Sequence, residues 1–266
     1  RNIMQKKDVV IYLPVFNSFK NLEEIFERFK FINLNIIKVI IIDNASIISK
    51  DAKLKIITEL KRKFFYEIIF IINEENYGIG GSKKIFYKIL ENLNFDYYFS
   101  ILTTKRFSIH ELIQSMNANI DDSVDCLFFS RFLNKENTKG YSTIRKLGNY
   151  FFIYLTRILT GCNLTDPGSI IYLKNKKCFN IISNLELSKL TNGSHFGHFL
   201  NILFFKSSSN IVIKETAINW SDGNIRSHIN GFQYSIILLL SLVKYFFTNN
   251  FFIQMKKDFR FEKFNF

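Results

Sequence analysis

Short apolar runs alternate with longer amphipathic segments over the first half of the chain. The apolar runs are rich in β-branched residues and lack any alternation of polar and apolar positions, which predicts buried strands. They cover residues 8–16, 36–43, 66–72 and 97–102. The segments between them carry apolar residues at helical spacing. These cover residues 18–32, 50–64 and 80–93. Unalternating strands separated by amphipathic helices predict an α/β fold, with a mostly parallel sheet covered by helices on both faces.

The pattern is looser beyond residue 121. Strands are predicted at residues 125–132 and 210–220, helices at 141–161 and 197–209, and a turn, strand and helix start within 166–182. The last block, residues 231–247, is apolar almost all round and contains Lys244. It is shorter than the ~20 residues of a spanning helix, which favours an interfacial or re-entrant helix over an ordinary buried helix or an oligomer interface. We therefore expect one α/β domain at residues 1–228, which the later resemblance assigns to a fold family, and membrane-associated amphipathic helices at 229–266.

Composition narrows the class of protein. A hydrophobic share of 47% supplies a large core and disfavours disorder. The formal net charge of +13 indicates anionic partners, and its pairing with aromatic-aliphatic runs near the end favours an anionic membrane surface over nucleic acid. Three widely spaced cysteines without a CxxC suit buried thiols in a reducing compartment, and no signal peptide is evident at the start.

Candidate binding residues follow from the predicted sheet, since ligands of such sheets bind beyond the carboxyl ends of the strands. Those ends lie at residues 14–17, 43–46, 73–81 and 103–106. Asp43 ends an apolar strand, where a carboxylate can accept a hydrogen bond from a pyrimidine N–H or serve as a turn residue. Gly78, Gly80 and Gly81 lie between a strand and a helix, where glycine allows close approach of a sugar-phosphate or simply a tight turn.

Six segments occur in the order found in one enzyme family: "LPVFN", "IIDNAS", "NYGIGGSKK", "SRF" with the later "RKLGN", "LTDPGSIIYLK" and "INWSDGNIRSH". Over about residues 8–245 the chain resembles inverting family 2 glycosyltransferases with a GT-A fold, in particular the dolichyl- and polyprenyl-phosphate sugar transferases. The resemblance implies transfer from a nucleotide-diphosphate sugar to a polyprenyl phosphate or lipid-linked acceptor. It also implies a place at the cytoplasmic side of the cell membrane, in surface-polysaccharide biosynthesis. The nucleotide-sugar site it implies comprises Pro14, Asn17, Asp43, Asn76, Gly78, Gly80, Gly81, Thr103, Lys105 and Arg106.

The chain departs from the family at the end of the fourth predicted strand. The family has an Asp-x-Asp there that holds a divalent cation against the diphosphate, whereas this chain has Thr103, Thr104 and Lys105. Mg²⁺ and Mn²⁺ prefer carboxylate oxygens, so a site without a metal cofactor is favoured over one that holds either cation. Lys105 and Arg106 can instead neutralise the leaving diphosphate, with Thr103 donating a hydrogen bond. The alternative is a homologue that binds a ligand or partner and no longer transfers a sugar.

The acceptor side is implied by the same resemblance. Arg131 and Arg145 are expected to hold phosphate groups bidentately, and Asn149 shares a helix face with Arg145. Arg226 and His228 are expected beside the acceptor phosphate. A sugar hydroxyl acceptor would need a general base, for which Asp166 is the nearest candidate, whereas a polyprenyl phosphate is already an anion. Transfer to a saccharide hydroxyl therefore remains the second hypothesis, and homo-oligomerisation remains open.

Overall fold

The computed structural model describes residues 6–134, 136, 138, 140–221, 231–251 and 258–266. Over these residues strands and helices mostly alternate along the chain. In order they are β1 (Asp8–Val15), α1 (Leu22–Phe29), β2 (Asn35–Asp43), α2 (Lys50–Phe64), β3 (Ile68–Asn73), α3 (Gly78–Leu90), β4 (Tyr97–Ser100), α4 (Ile109–Asn119), β5 (Cys126–Ser130), α5 (Thr143–Thr160), β6 (Tyr172–Asn175), α6 (Lys176–Ser183), α7 (Phe196–Lys206), β7 (Ile213–Ala217), α8 (Gly231–Thr248) and β8 (Phe261–Asn265).

One eight-stranded sheet organises the fold, in the order β7-β5-β6-β4-β1-β2-β3-β8. The pairs β1–β2, β1–β4, β2–β3 and β5–β7 are parallel, and β6 and β8 run antiparallel to their neighbours. The predicted α/β class with a mostly parallel sheet is confirmed. Strand β6 is antiparallel to both of its neighbours, β4 and β5, so β4 and β5 run in the same direction, and β7 runs parallel to β5. The carboxyl ends of β4, β5 and β7 therefore lie at the same edge of the sheet as those of β1 to β3.

Both faces of the sheet are covered, as strands without alternation require. Val9, Ile11 and Leu13 of β1 join one buried cluster with residues of α1, α2 and α4. Val10 and Tyr12 join a second cluster with residues of α3, α6 and α7. Both faces of β1 are buried, so neither face requires polar residues. This explains the continuous apolar run in the sequence.

The end of the chain corrects the sequence interpretation. Helices were expected throughout residues 229–266, but residues 261–265 form β8, which pairs antiparallel with the outer edge of β3. Phe264 packs on Phe70 of β3 with ring centroids 6.3 Å apart. The backbone groups along the edge of β3 accept this strand although its side chains are mostly exposed. The boundary predicted at residue 228 therefore separates segments that share one sheet.

Two lysines are buried on the α3 side of the sheet. The Lys83 ammonium group contacts the Tyr172 hydroxyl and lies 3.3 Å from the Ile170 carbonyl oxygen. Lys174 is fully buried, and its Nζ lies over the rings of Phe204 and Tyr172 at 3.9 and 4.3 Å. Burial lowers the pKa of Lys83 well below its ordinary value, with a further contribution from Lys174, and burial likewise lowers the pKa of Lys174.

These lysines predict a pH dependence of stability. Between the lowered folded pKa and the ordinary value, the unfolded chain binds more protons, so the free energy of unfolding rises with pH in that interval. We expect Lys174→Met to raise the melting temperature near neutral pH, by about 2–4 °C for each kcal/mol that it adds to the free energy of unfolding. The gain should shrink as pH approaches the ordinary lysine pKa.

The measurement is thermal unfolding of wild type and Lys174→Met between about pH 7 and pH 10. The upper limit lies close to the ordinary pKa of lysine. Lys55→Met, on the exposed side of α2, is the matched control. An unchanged or lowered melting temperature for Lys174→Met at neutral pH would show that the buried lysine is not destabilising.

Candidate active site

Asn44 joins the carboxyl ends of β1, β2 and β3. Its backbone N–H donates to the Val15 carbonyl oxygen at 2.8 Å. Its side-chain oxygen accepts from Asn73 at 3.1 Å and from the Tyr77 backbone N–H at 2.9 Å, while its amide nitrogen donates to the Asn76 side chain at 2.5 Å. Asn76 in turn accepts the Gly78 N–H at 2.8 Å. The position of Asn76, a predicted nucleotide-sugar residue, thus depends on Asn44.

The β1 loop is held against the β2 loop in the same way. Asn17 has a positive φ of 53°, and its N–H donates to the Ser46 hydroxyl at 2.7 Å. Its side-chain oxygen accepts from the Ile47 N–H at 3.0 Å. Phe16 and Ile47 are 39% and 89% exposed beside it. This edge therefore presents apolar surface next to polar groups, a combination suited to the ring of a nucleobase.

Asp43 is fully buried and bound by the protein itself. Lys53 of α2 lies 2.7 Å from its carboxylate, and the Ser46 N–H donates to the same carboxylate at 3.1 Å. Lys53 is buried as well. The contacts shown for Asp43 are those of a turn carboxylate with a buried counter-ion, and its predicted contact with a base remains a prediction.

The glycines of the β3–α3 loop are packed against residues far along the chain. A Cβ on Gly78, whose φ is +71°, would lie 2.4 Å from the Asn192 carbonyl oxygen, and one on Gly80 would lie 2.5 Å from the Phe196 side chain. The Gly80 and Gly81 N–H groups donate to the Asn192 oxygen at 2.8 and 3.2 Å. The structure thus explains these glycines by close packing, and their predicted contact with a sugar-phosphate remains a prediction.

The end of β4 holds the residues that replace the family's carboxylates. Thr103 is buried, donates its hydroxyl to the Pro14 carbonyl oxygen at 2.6 Å and accepts from the Ser18 hydroxyl at 2.7 Å. Lys105 is exposed and lies 3.7 Å from Glu24. Arg106 is half-buried, with its guanidinium 6.0 Å from the Trp220 ring.

These side chains do not fit a divalent cation. The Thr103 hydroxyl is already bonded within the protein, and Lys105 brings a positive charge to the place of a carboxylate. Within the described part of the chain, no group of three or more histidine, cysteine, aspartate or glutamate residues is arranged to hold a metal ion.

Arg131 and Asp166 form a bidentate ion pair beside this strand end. The Arg131 Nε and a terminal guanidinium nitrogen donate to the two Asp166 oxygens at 2.7 and 2.8 Å, and the Arg131 backbone N–H donates to the same carboxylate at 3.1 Å. Burial acts to lower the pKa of Arg131, but the attraction of Asp166 outweighs it and raises the pKa overall. Asp166 is 2% exposed. Both partners are therefore tied to each other, with the guanidinium 5.5 Å from the Trp220 ring.

Trp220 connects the two predicted phosphate-binding regions. Its ring is buried and stacked on Phe107 at 5.8 Å, and it lies beside both Arg106 and Arg131. The next residue, Ser221, donates its N–H to the Arg106 carbonyl oxygen at 2.7 Å. The segment after β7 is thus fixed against the end of β4.

Two of the remaining predicted acceptor residues, Arg145 and Asn149, lie in the first turns of α5. The Arg145 guanidinium lies 4.2 Å from the Tyr141 ring, and the Asn149 side chain donates to the Arg145 carbonyl oxygen at 2.7 Å. Tyr141 packs on Phe132 with centroids 6.4 Å apart, which links this pair to the Arg131 region. Arg226 and His228 lie outside the described residues.

Two histidines, His195 just before α7 and His198 within it, contact side chains of α8 and α5. His198 is buried, and its ring nitrogen pairs with the Thr156 hydroxyl at 2.9 Å. Burial lowers the pKa of His198 to about 3, so the ring is neutral at physiological pH. His195 stacks on Tyr234 of α8 with centroids 4.0 Å apart. These contacts give the two histidines structural roles.

No family model matches the chain. The UDP-N-acetylglucosamine–dolichyl-phosphate N-acetylglucosaminyltransferase of Methanococcus voltae is 24% identical over 191 residues, which cover 68% of this chain and 74% of that protein.

Solved structures with the same fold include two sugar-phosphoglycerate synthases. The glucosyl-3-phosphoglycerate synthase of Mycobacterium tuberculosis with UDP has a TM-score of 0.55 and 13% identity, covering 90% of this chain and 80% of that one. The same synthase with Mn²⁺, UDP and phosphoglyceric acid has a TM-score of 0.57 and 14% identity, covering 89% and 78%. The mannosyl-3-phosphoglycerate synthase of Rubrobacter xylanophilus has a TM-score of 0.55 and 11% identity, covering 90% and 73%. These structural likenesses confirm the predicted GT-A fold. The relative from Methanococcus voltae is itself a glycosyltransferase, the class of enzyme that the sequence predicts.

Sequence reasoning missed several residues that build the site. Asn44 is one of them, although an asparagine directly after a strand-ending carboxylate is a signal that the sequence offers. Lys53 and Trp220 act through contacts with residues distant in sequence. Their partners follow from the tertiary fold alone.

The buried pair of Asp43 and Lys53 gives a stability prediction. Lys53→Met should destabilise the protein by roughly 3–5 kcal/mol, because it leaves the Asp43 charge buried without a partner. Asp43→Asn combined with Lys53→Met should recover much of that loss. Urea unfolding of the single and double variants measures the coupling. Additive losses would show that the two charges do not stabilise each other.

Proposed function

We propose that this protein transfers a sugar from a nucleotide-diphosphate sugar to a polyprenyl phosphate at a membrane surface, with cationic side chains in place of a divalent metal. The observation that carries the proposal is the end of β4, where Lys105 and Arg106 stand at the positions that face the diphosphate in the family it resembles. The GT-A fold and the likeness to a dolichyl-phosphate transferase support the same class of donor and acceptor.

The chemistry is a displacement at the anomeric carbon. A phosphate oxygen of the acceptor forms the new bond to that carbon as the bond to the β-phosphate oxygen of the donor breaks. The electron pair of the broken bond stays on the nucleoside diphosphate, whose negative charge grows. Lys105 and Arg106 offset this charge, as preorganised cations do for a developing anion.

The state of Asp166 favours a phosphate acceptor over a sugar hydroxyl. A hydroxyl must lose its proton during transfer, which requires a positioned base. Both Asp166 oxygens accept from Arg131, and the residue is buried. An anionic phosphate needs no base, so an engaged Asp166 does not hinder its reaction.

The surface of α5 and α8 supports a lipid acceptor. Both helices expose large apolar side chains, including Ile144 and Tyr154 of α5 and Leu240 and Phe247 of α8, with exposures between 53% and 84%. Gly231–Thr248 has a mean hydropathy of 1.3 over 18 residues, of which 22% are buried. This length and composition suit a helix lying in the interface of a bilayer.

Basic residues accompany this apolar surface. Arg145, Lys146 and Arg157 lie on α5, and each basic residue near an anionic leaflet contributes ~1 kcal/mol. The same helix begins beside Tyr141, which links it to the Arg131 region. A lipid held on this surface would therefore carry its phosphate toward the end of β4.

The first test of the proposal concerns the metal. Binding of UDP and GDP, measured by calorimetry, should be unchanged by EDTA. Lys105→Gln together with Arg106→Gln should weaken the binding roughly ten- to hundredfold, because charge-assisted contacts to phosphate are lost. Lys55→Gln, an exposed lysine of α2, controls for the change in net charge. Binding that collapses with EDTA and returns with Mn²⁺ would contradict the metal-free proposal.

The second test concerns the membrane. We expect the protein to float with anionic vesicles, and Leu240→Glu with Phe247→Glu to abolish flotation because a charge is placed on the apolar face of α8. Phe65→Glu, which alters an apolar residue that is 83% exposed after α2, is the control. Point variants are preferable to truncation, since β8 follows α8 and belongs to the sheet.

Two outcomes would contradict the membrane proposal. Wild-type protein that ignores vesicles and remains monomeric would exclude a role for this surface at lipid. A dimer in light scattering that the two α8 substitutions dissociate would assign the surface to an interface between copies instead.

A further inference from the structure

The last strand of the sheet reaches the same edge as the candidate donor site. Because β8 runs antiparallel to β3, its first residue, Phe261, pairs with Asn73, the last residue of β3. The residues just before β8 therefore lie beside the β3–α3 loop. The Glu74 N–H donates to the Arg260 carbonyl oxygen at 3.1 Å, which continues the pairing past the end of β3.

Tyr77 fastens this loop to the segment before β8. The Arg260 N–H donates to the Tyr77 hydroxyl at 2.8 Å, and the same hydroxyl donates to the Arg260 carbonyl oxygen at 3.2 Å. The Tyr77 ring packs edge-on against Phe259 with centroids 5.1 Å apart. One side chain thus bonds both polar groups of a single backbone residue, which fixes their relative position.

Tyr77 is held from the opposite side by the candidate site. Its own N–H donates to the side chain of Asn44, which also contacts Asn73 and Asn76. Gly81 lies against the Tyr77 side chain, where a Cβ would stand 2.6 Å from the tyrosine Cβ. Movement of Tyr77 therefore displaces both the asparagine network and the first turn of α3.

Phe251, which follows α8, packs against the helices on the same side of the sheet. Phe251 stacks on Tyr245 of α8 at 4.4 Å and on Phe199 of α7 at 4.3 Å. On the same helix, Phe196 fills the space in front of Gly80. Phe251, just after α8, thus packs on the helix that also places Phe196 against Gly80 of the β3–α3 loop.

We propose that Tyr77 is a positioning residue for the nucleotide donor, and that docking of the last strand on β3 and binding of a nucleoside diphosphate stabilise each other. The inference rests on the donor site proposed above. Its physical basis is reciprocity: if β8 holds the loop in the form that binds the nucleotide, the nucleotide must hold β8 on the loop by the same free energy.

Hydrogen–deuterium exchange with UDP and with GDP tests this coupling in the full chain. In the wild type, the nucleotide that binds should slow exchange in residues 73–81 and also in residues 258–266. In Tyr77→Phe the ring is kept and the hydroxyl is lost, so protection of residues 258–266 should disappear. The Kd for the nucleotide should rise about three- to tenfold, the effect expected for lost neutral hydrogen bonds.

Steady-state kinetics separates positioning from a general loss of stability. Tyr77→Phe should raise the KM for the donor sugar nucleotide while the KM for the acceptor stays unchanged. Tyr66→Phe is the matched control, because Tyr66 precedes β3 at the opposite edge and packs its ring on Phe26 and Phe29. It should match the wild type in nucleotide affinity and in the exchange of residues 258–266.

The outcomes distinguish this inference from the function on which it rests. Protection of residues 14–17 and 43–46 without any protection of residues 258–266 would overturn the coupling alone. A Tyr77→Phe variant with wild-type donor affinity would overturn the role of Tyr77. Absence of protection anywhere with either nucleotide would overturn the donor site and the inference together.

Discussion

Charge balance at one edge of the sheet is the constraint on which the rest of the structure depends. The carboxyl ends of β4, β5 and β7 bring Arg106, Arg131 and Trp220 together. Cations gathered beside one aromatic ring repel one another, and a carboxylate partner offsets part of that repulsion. Arg131 is offset by a buried bidentate carboxylate, whereas Lys105 faces an exposed glutamate at 3.7 Å.

The difference in burial separates a cation that must keep its carboxylate partner, Arg131, from one that can exchange its partner for a ligand, Lys105. Breaking the Arg131–Asp166 pair would leave a buried charge without a partner, at a cost of several kcal/mol. An exposed pair such as Lys105 and Glu24 contributes little, so Lys105 can exchange its partner for a phosphate at small cost. We therefore propose that the end of β4 binds the ligand and that the Arg131–Asp166 pair is the fixed framework beside it.

The sequence predicts the elements well where burial alone decides them. The helix predicted at residues 50–64 has the bounds observed for α2, because its apolar spacing and the Ser49 cap are local signals. Strand β8 escaped prediction since its side chains are mostly exposed and its partner, β3, lies almost two hundred residues earlier. The strand-end positions of the site followed from topology. The partners of Asp43 and of the loop glycines did not, because Lys53 and Asn192 reach them through tertiary contacts.

The most direct test of the central claim is a crystal structure of the protein with a nucleotide-diphosphate sugar, grown in Mn²⁺ and examined at the manganese absorption edge. We expect diphosphate oxygens within hydrogen-bonding distance of Lys105 and Arg106 and no anomalous peak beside them. A manganese peak bridging the diphosphate and a protein side chain at the end of β4 would contradict this expectation.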